Sequence, residues 1–199
     1  MNRLIIVTGI SGSGKTTISN YIYSNYENSV LISIDTLKED IYDLVGFNNY
    51  EQKQNLKPII YNTFMKLLNE CMNRNDKNII IEYPFNKNWT NKFKKLIDKY
   101  NYEAITIKVI GKDYDTIFQR LNDRNNSLKR HPSHSLINYN LKEKNKYKST
   151  NELDYEELKK DYKTNKYTSI NIGREIVFIN DDNVNYKEII KQIDGDLSD

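Results

Sequence analysis

Along the 199 residues, short apolar runs alternate with longer stretches in which apolar positions recur every three or four residues. Leu4–Val7, Val30–Ile34, 78–81, Ala104–Ile110 and Ile176–Ile179 are short and β-branched, and read as buried parallel strands. Between them the pattern predicts helices to about Tyr26, over 36–44, 51–75, 88–100 and Tyr114–Arg124, and a closing helix over 184–193. The 51–75 segment carries apolar residues at 56, 59, 60, 64, 67, 68, 71 and 72. Pro58 falls inside that stripe, so the helix is expected to start near it or break there. Residues 125–172 are polar and irregular, with helical patterns over 135–147 and 154–162.

Strands alternating with helices predict an α/β, three-layer architecture, a parallel sheet covered on both faces. In such sheets ligands bind at the carboxyl ends of the strands. That rule brings Thr8-Gly9, Asp35, Glu82, Gly111 and Asn180 to one edge. The length fits a single domain over 1–199, with a lid or insert at about 120–172.

The first strand runs into Gly9-Ile10-Ser11-Gly12-Ser13-Gly14-Lys15-Thr16, which fits G-x-x-x-x-G-K-[ST] at every fixed position, and Thr17 follows. Glycines here let backbone N–H groups approach phosphate oxygens, and the helix starting near Gly14 adds its free amides and positive dipole end. Lys15 is placed to reach the β- and γ-phosphates, and the Thr16 hydroxyl to ligate Mg²⁺. A nucleoside triphosphate is the expected ligand.

Composition adds mainly exclusions. A net charge of +3 is too small for a protein that coats nucleic acid. The single cysteine, Cys71, excludes an internal disulfide and a zinc cluster and suits a reducing compartment. It lies in an apolar helical pattern and reads as a buried structural thiol. The apolar run at the N-terminus is too short for a signal peptide, and a cytoplasmic location is expected. Sixteen scattered tyrosines, alongside abundant Asn, Lys and Ile, read as compositional bias and not as a base-stacking surface.

A phosphate loop alone does not separate kinases from switches, helicases or transport ATPases, so the later residues matter. No Asn-Lys-x-Asp motif and no Asp-Glu Walker B run are present. Asp35 closes the second strand, where a carboxylate can accept a proton from a substrate hydroxyl, or can simply N-cap a helix beginning at Thr36. Glu82 closes the third strand, as an acid orienting Mg²⁺-bound water or as a plain surface acid. Asn86, Lys87 and Trp89 follow it and are candidates for the acceptor pocket. Arg120 and Arg124 stand i, i+4 on a helix and precede Lys129-Arg130-His131-Pro132-Ser133-His134. From 120 to 148 there are eight Lys/Arg against two acids, a local excess that suits a basic lid closing over phosphates. Two histidines without a further ligand make a weak metal signal.

Gly9–Thr17, Asp35, Glu82 and the Arg120…Arg124…Arg130-His-Pro-Ser-His134 run together resemble the small P-loop kinase group. This group holds polynucleotide kinases, chloramphenicol phosphotransferase, zeta-toxin-like kinases and related predicted kinases. Ser133 stands where many of them have glycine. The resemblance implies a P-loop NTPase fold with a five-stranded parallel sheet of order 2-3-1-4-5 and a basic helical lid. It also implies Asp35 as base, Lys38 as an acceptor contact where relatives commonly carry Arg, and Arg124 and Asn180 near the nucleotide.

The expected activity is ATP- and Mg²⁺-dependent transfer of a phosphoryl group to a hydroxyl. Lys15, Asp35, Arg120 and Arg124 are the expected catalytic residues. Gly9, Ser11, Gly12, Ser13, Gly14, Lys15, Thr16, Thr17, Arg124 and Asn180 are expected to hold ATP, and Thr16 and Glu82 to serve the metal. Asp35, Lys38, Glu82, Arg130 and His131 are expected on the acceptor side. A small-molecule acceptor comes first, since the basic surplus is local. A 5′-hydroxyl polynucleotide acceptor along 129–148, or a non-enzymatic nucleotide switch, are the alternatives.

Overall fold

The computed structural model describes residues 1–127, 130–134, 136–142, 159, 170–181 and 185–195. Five strands, β1 (Arg3–Thr8), β2 (Ser29–Ser33), β3 (Asn78–Glu82), β4 (Glu103–Gly111) and β5 (Arg174–Asn180), form one parallel sheet of order β2-β3-β1-β4-β5. This is the expected order. In the register of the central strand, Ile5 faces Ile80 on one side and Ile105 on the other.

Alternation along β1 explains why the run is apolar throughout. Leu4 and Ile6 point to a core shared with α2 (Ile34–Val45), α3 (Tyr50–Arg74) and α4 (Thr90–Tyr100). Ile5 and Val7 point the other way, to a core shared with α1 (Lys15–Asn25) and α6 (Tyr186–Asp194). A strand covered on both faces cannot place a polar residue without burying it. Each fully buried Ile or Leu contributes about 1.5–3 kcal/mol, so the two clusters hold the layers together. No helix among the described residues is long and apolar enough to cross a membrane.

Two expectations are corrected. α3 runs unbroken through Pro58. Proline removes the bond to the Gln54 carbonyl, but Pro58 is exposed, and on an exposed face water can satisfy that oxygen. Meanwhile Leu56, Ile60, Phe64, Leu68 and Met72 bury a continuous stripe that holds both halves in place. The helical expectation over 135–147 also fails over 136–140, where Tyr139 pairs with Phe47 as an isolated antiparallel bridge, while 141–142 lie in a 3-10 turn. Residues 135 and 143–147 lie outside the described residues, as does 154–162 apart from Lys159.

Candidate active site

At the carboxyl ends of β1, β2 and β3 lies a cleft of about 590 Å³. Its floor is the phosphate loop, which the chain must bend sharply to form. Gly14, the N-cap of α1, sits at φ 97°, and a Cβ there would overlap the Asn180 side chain. That side chain reaches under the loop from the end of β5 and donates to the Ser13 carbonyl at 2.8 Å. Asn180 is buried and its amide holds the loop's shape, a use the resemblance did not suggest. Gly9 and Ser13 belong to this internal scaffold, whereas Gly12, Gly14, Lys15, Thr16 and Thr17 line the cleft and Ser11 is exposed beside it.

Lys15 is 7% exposed, and its ammonium donates to the Ile10 carbonyl at 2.8 Å, back across its own loop. Burial pulls its pKa below the ordinary lysine value, with Glu82 and Asp35 opposing the fall. Glu82, 3% exposed at the end of β3, is pushed up by burial, while Lys15 and the Ser33 and Thr16 hydroxyls work against that rise. Ser33 Oγ donates to Glu82 at 3.0 Å.

Asp35 opens the first turn of α2 and does not cap it. The cap is Ser33, whose hydroxyl accepts from the Thr36 amide, so β2 ends one residue earlier than expected. The freed Asp35 carboxylate lines the cleft and accepts from Lys38 Nζ at 2.9 Å. Burial works against its ionisation, but the Lys38 ammonium prevails and holds its pKa below the usual carboxylate value. Lys38 itself is off the cleft lining: it also donates to the Tyr83 hydroxyl at 2.9 Å, and Tyr83 in turn meets Tyr61.

α5 (Tyr114–Asn126) rides over the loop, with Ile117 and Leu121 packed against the space that a Gly12 side chain would fill. Its last two turns bring Arg120 and Arg124 to the cleft, where Arg130 joins them. None of the three has a carboxylate partner within ion-pair distance among the described residues, and Arg120 Nη1 is buried without a hydrogen bond there. Burial, then the charge of Arg124, pulls Arg130 down to about 10. His131 and His134 line the same wall, but each is engaged by an acid of α2: Asp43 at 2.9 Å and Glu39 at 2.6 Å. Among the described residues no group of three or more His, Cys, Asp or Glu side chains could hold a metal.

Asn86, Lys87 and Trp89 do not reach this cleft. Asn86 caps a single 3-10 turn over 87–89, and that turn carries the indole into the core, where it contacts Phe64, Phe85 and Phe93. Conversely, sequence reasoning missed Ser33, Glu39, Asp43, Lys53 and Tyr83. Only Glu39 and Asp43 carried a signal, an i, i+4 pair of acids on one helix face opposite a histidine pair spaced i, i+3.

The donor set fits both expected ligands. A loop of left-handed glycines at a helix N-terminus, one buried lysine and three arginines without carboxylate partners among the described residues suit a triphosphate. The Thr16 and Ser33 hydroxyls with the Glu82 and Asp35 carboxylates are hard oxygen donors. They suit an Mg²⁺ that keeps several waters and shares phosphate oxygens, as opposed to one held in a closed protein cage.

Comparison with known proteins bears on the fold. A family model described as an AAA domain matches residues 5–148. A search of curated proteins finds no match. Among solved structures, a candidate kinase from Chloroflexus aurantiacus superposes with TM-score 0.76 at 18% identity, over 99% of each chain. The tunicamycin resistance protein of Deinococcus radiodurans gives 0.57 at 10% identity, over 100% of this chain and 96% of that one. Shikimate kinase from Acinetobacter baumannii, solved with shikimate, gives 0.55 at 13% identity, over 100% and 97%. The chain belongs to this AAA domain family, and its fold is that of the small P-loop kinases.

Proposed function

We propose that the protein is a phosphotransferase that moves the γ-phosphoryl group of ATP to a hydroxyl of a small-molecule acceptor. The observation that carries the reading is the meeting of two chemistries in one cleft: a phosphate loop with Lys15 and three arginines, and the ionised Asp35. A switch needs only the first.

In the proposed reaction the acceptor oxygen forms a bond to the γ-phosphorus as the bond from that phosphorus to the β,γ-bridging oxygen breaks, releasing ADP. The hydroxyl proton passes to Asp35. With its pKa held low, Asp35 is a weak base, so it first orients the hydroxyl and takes the proton as the forming O–P bond makes that proton acidic. Lys15 leaves the Ile10 carbonyl for the phosphates, and Arg120, Arg124 and Arg130 offset charge on the transferring group. Bound Mg²⁺ would neutralise phosphate charge and align the β- and γ-oxygens. Thr16 would ligate it directly, and Glu82, buried and partly compensated by Lys15, would act on it through water.

The test is ADP release from Mg²⁺·ATP by the wild type and Asp35→Asn, with one panel of nucleosides, sugars and hydroxyl-bearing antibiotics and one of 5′-hydroxyl oligonucleotides. Stimulation by the first panel that is lost in Asp35→Asn supports the reading. Stimulation by the oligonucleotides alone, with binding that weakens steeply as salt rises, would move the acceptor class to polynucleotides. ATP binding with no stimulation and with nucleotide-dependent partner binding would favour the switch.

A further inference from the structure

The segment expected to close as a lid is anchored, where it is described, to α2, α3 and Phe47. Glu39 and Asp43 lie one turn apart on α2, while His131 precedes the 3-10 turn over Pro132–His134 and His134 is its last residue. The spacings match, so His131 Nε2 meets Asp43 Oδ1 at 2.9 Å and His134 Nε2 meets Glu39 Oε1 at 2.6 Å. Ser133 Oγ, 2.7 Å from His131 Nδ1, fixes that ring, and the Tyr139 hydroxyl donates to the same Asp43 carboxylate. From α3, Lys53 Nζ donates to the carbonyls of Ser133 at 2.7 Å, His134 at 3.4 Å and Leu136 at 2.8 Å. Three acceptors call for three N–H donors, which only the ammonium form has. Burial and the charges of Lys57, Lys38 and Arg130 bring its pKa down to about 8, leaving it charged at neutral pH.

Backbone contacts reinforce these side chains. The Phe47 amide donates to the Tyr139 carbonyl at 3.0 Å, and the Tyr139 amide to the Phe47 carbonyl at 2.7 Å. Gly46, at φ 67°, lies so close beneath that a Cβ would meet the Tyr139 carbonyl oxygen at 2.8 Å. A segment held by α2, by 46–47 and by α3 cannot swing without breaking all of them. Arg130 precedes the first histidine directly and lines the cleft together with Asp35, Glu39 and Arg124.

We infer that residues 130–134 and 136–140 form a fixed strap that pins Arg130 over the acceptor side of the cleft, with Asp43 and Lys53 as positioning residues acting through Arg130. Arg130 is then in place before substrates bind and is not delivered by closure. The effect on phosphoryl transfer rests on the proposed kinase reading; the docking of the strap does not.

Amide hydrogen exchange on the full chain, free of ligands, tests the docking in wild type, Asp43→Asn and Lys53→Met. We expect the Phe47 and Tyr139 amides to lose about tenfold or more of their protection in both variants while the β1 amides keep theirs. Exchange at those two amides that is unprotected in the wild type, or unchanged in both variants, overturns the strap. Retained β1 protection shows that each variant is folded. The second measurement is turnover with the responsive acceptor. Asp43→Asn and Lys53→Met are expected to lower kcat with little change in the KM for ATP, as Arg130→Ala does, and to add less than about twofold in the Arg130→Ala background. Full additivity overturns the link to Arg130. If no acceptor is turned over, the kinase reading fails on its own, and the exchange pattern still decides the docking.

Discussion

The Lys38 ammonium lies 2.9 Å from the Asp35 carboxylate, one turn along the same helix, with its ring-side contact to Tyr83 at 4.3 Å. The residue expected on the acceptor side is thus paired with the proposed base. The lysine is well covered while the carboxylate stays open to the cleft, so the pair orients Asp35 without hiding it.

Lys38→Met is expected to raise the Asp35 pKa, because the largest favourable influence on its ionised form is removed. Asp35 must be ionised to act, so the acid limb of the kcat/KM profile moves to higher pH in this variant. Lys38→Arg keeps the charge and leaves the limb near its wild-type position. The linked stability follows the same sign. A carboxyl depressed in the folded state stabilises above its unfolded pKa, and that contribution fades as pH falls through the folded value. Acid unfolding of the wild type should accordingly begin at lower pH than that of Lys38→Met. A pH series of activity and thermal melts reads both.

Lys15→Ala should cost far more than Lys38→Ala. Lys15 is the cation buried within the loop, and a group aimed at charge that develops in the transition state is worth about 100-fold to 1,000-fold in kcat. Steady-state kinetics on the two variants compares them directly; equal losses would contradict the division of roles.

Asn180→Ala removes the donor that holds the Ser13 carbonyl and leaves a buried oxygen without its partner. The cost is about 1–3 kcal/mol in stability. Because the loop loses its shape, affinity for Mg²⁺·ATP falls as well, which titration calorimetry would register. Gly14→Ala reaches the same end from the other side, by driving a Cβ into Asn180 from a left-handed backbone.

Trp89→Ala should lower stability by about 3–5 kcal/mol, as expected for a large aromatic deleted from a packed cluster. The KM for acceptor should not change. A changed KM with normal stability would return Trp89 to the pocket.

How much could be read from the chain depended on how local each feature is. The phosphate loop, its strand and its helix are contiguous, so Gly9–Thr17 was legible as a unit, and alternating strands and helices carried the architecture with it. Asp35 and Glu82 were legible because strand ends in a parallel sheet converge by rule. The strap was not, since Lys53 and the Ser133 carbonyl are 80 residues apart and His131 and Asp43 are 88 apart, with nothing in either segment naming the other. Trp89 is near Glu82 in sequence but not in space, because a single 3-10 turn carries the indole into the core. Pro58 shows a local rule outweighed, its lost hydrogen bond being exposed while the stripe beneath it is fully packed.

The most direct test of the central claim is the fate of the γ-phosphoryl group. With ATP labelled at the γ-phosphate, Mg²⁺ and the acceptor panel, the label should appear covalently on an acceptor hydroxyl, with ADP released in equal amount. Asp35→Asn should abolish this transfer while still binding ATP. Label found only as inorganic phosphate, unchanged by any acceptor, would contradict the account.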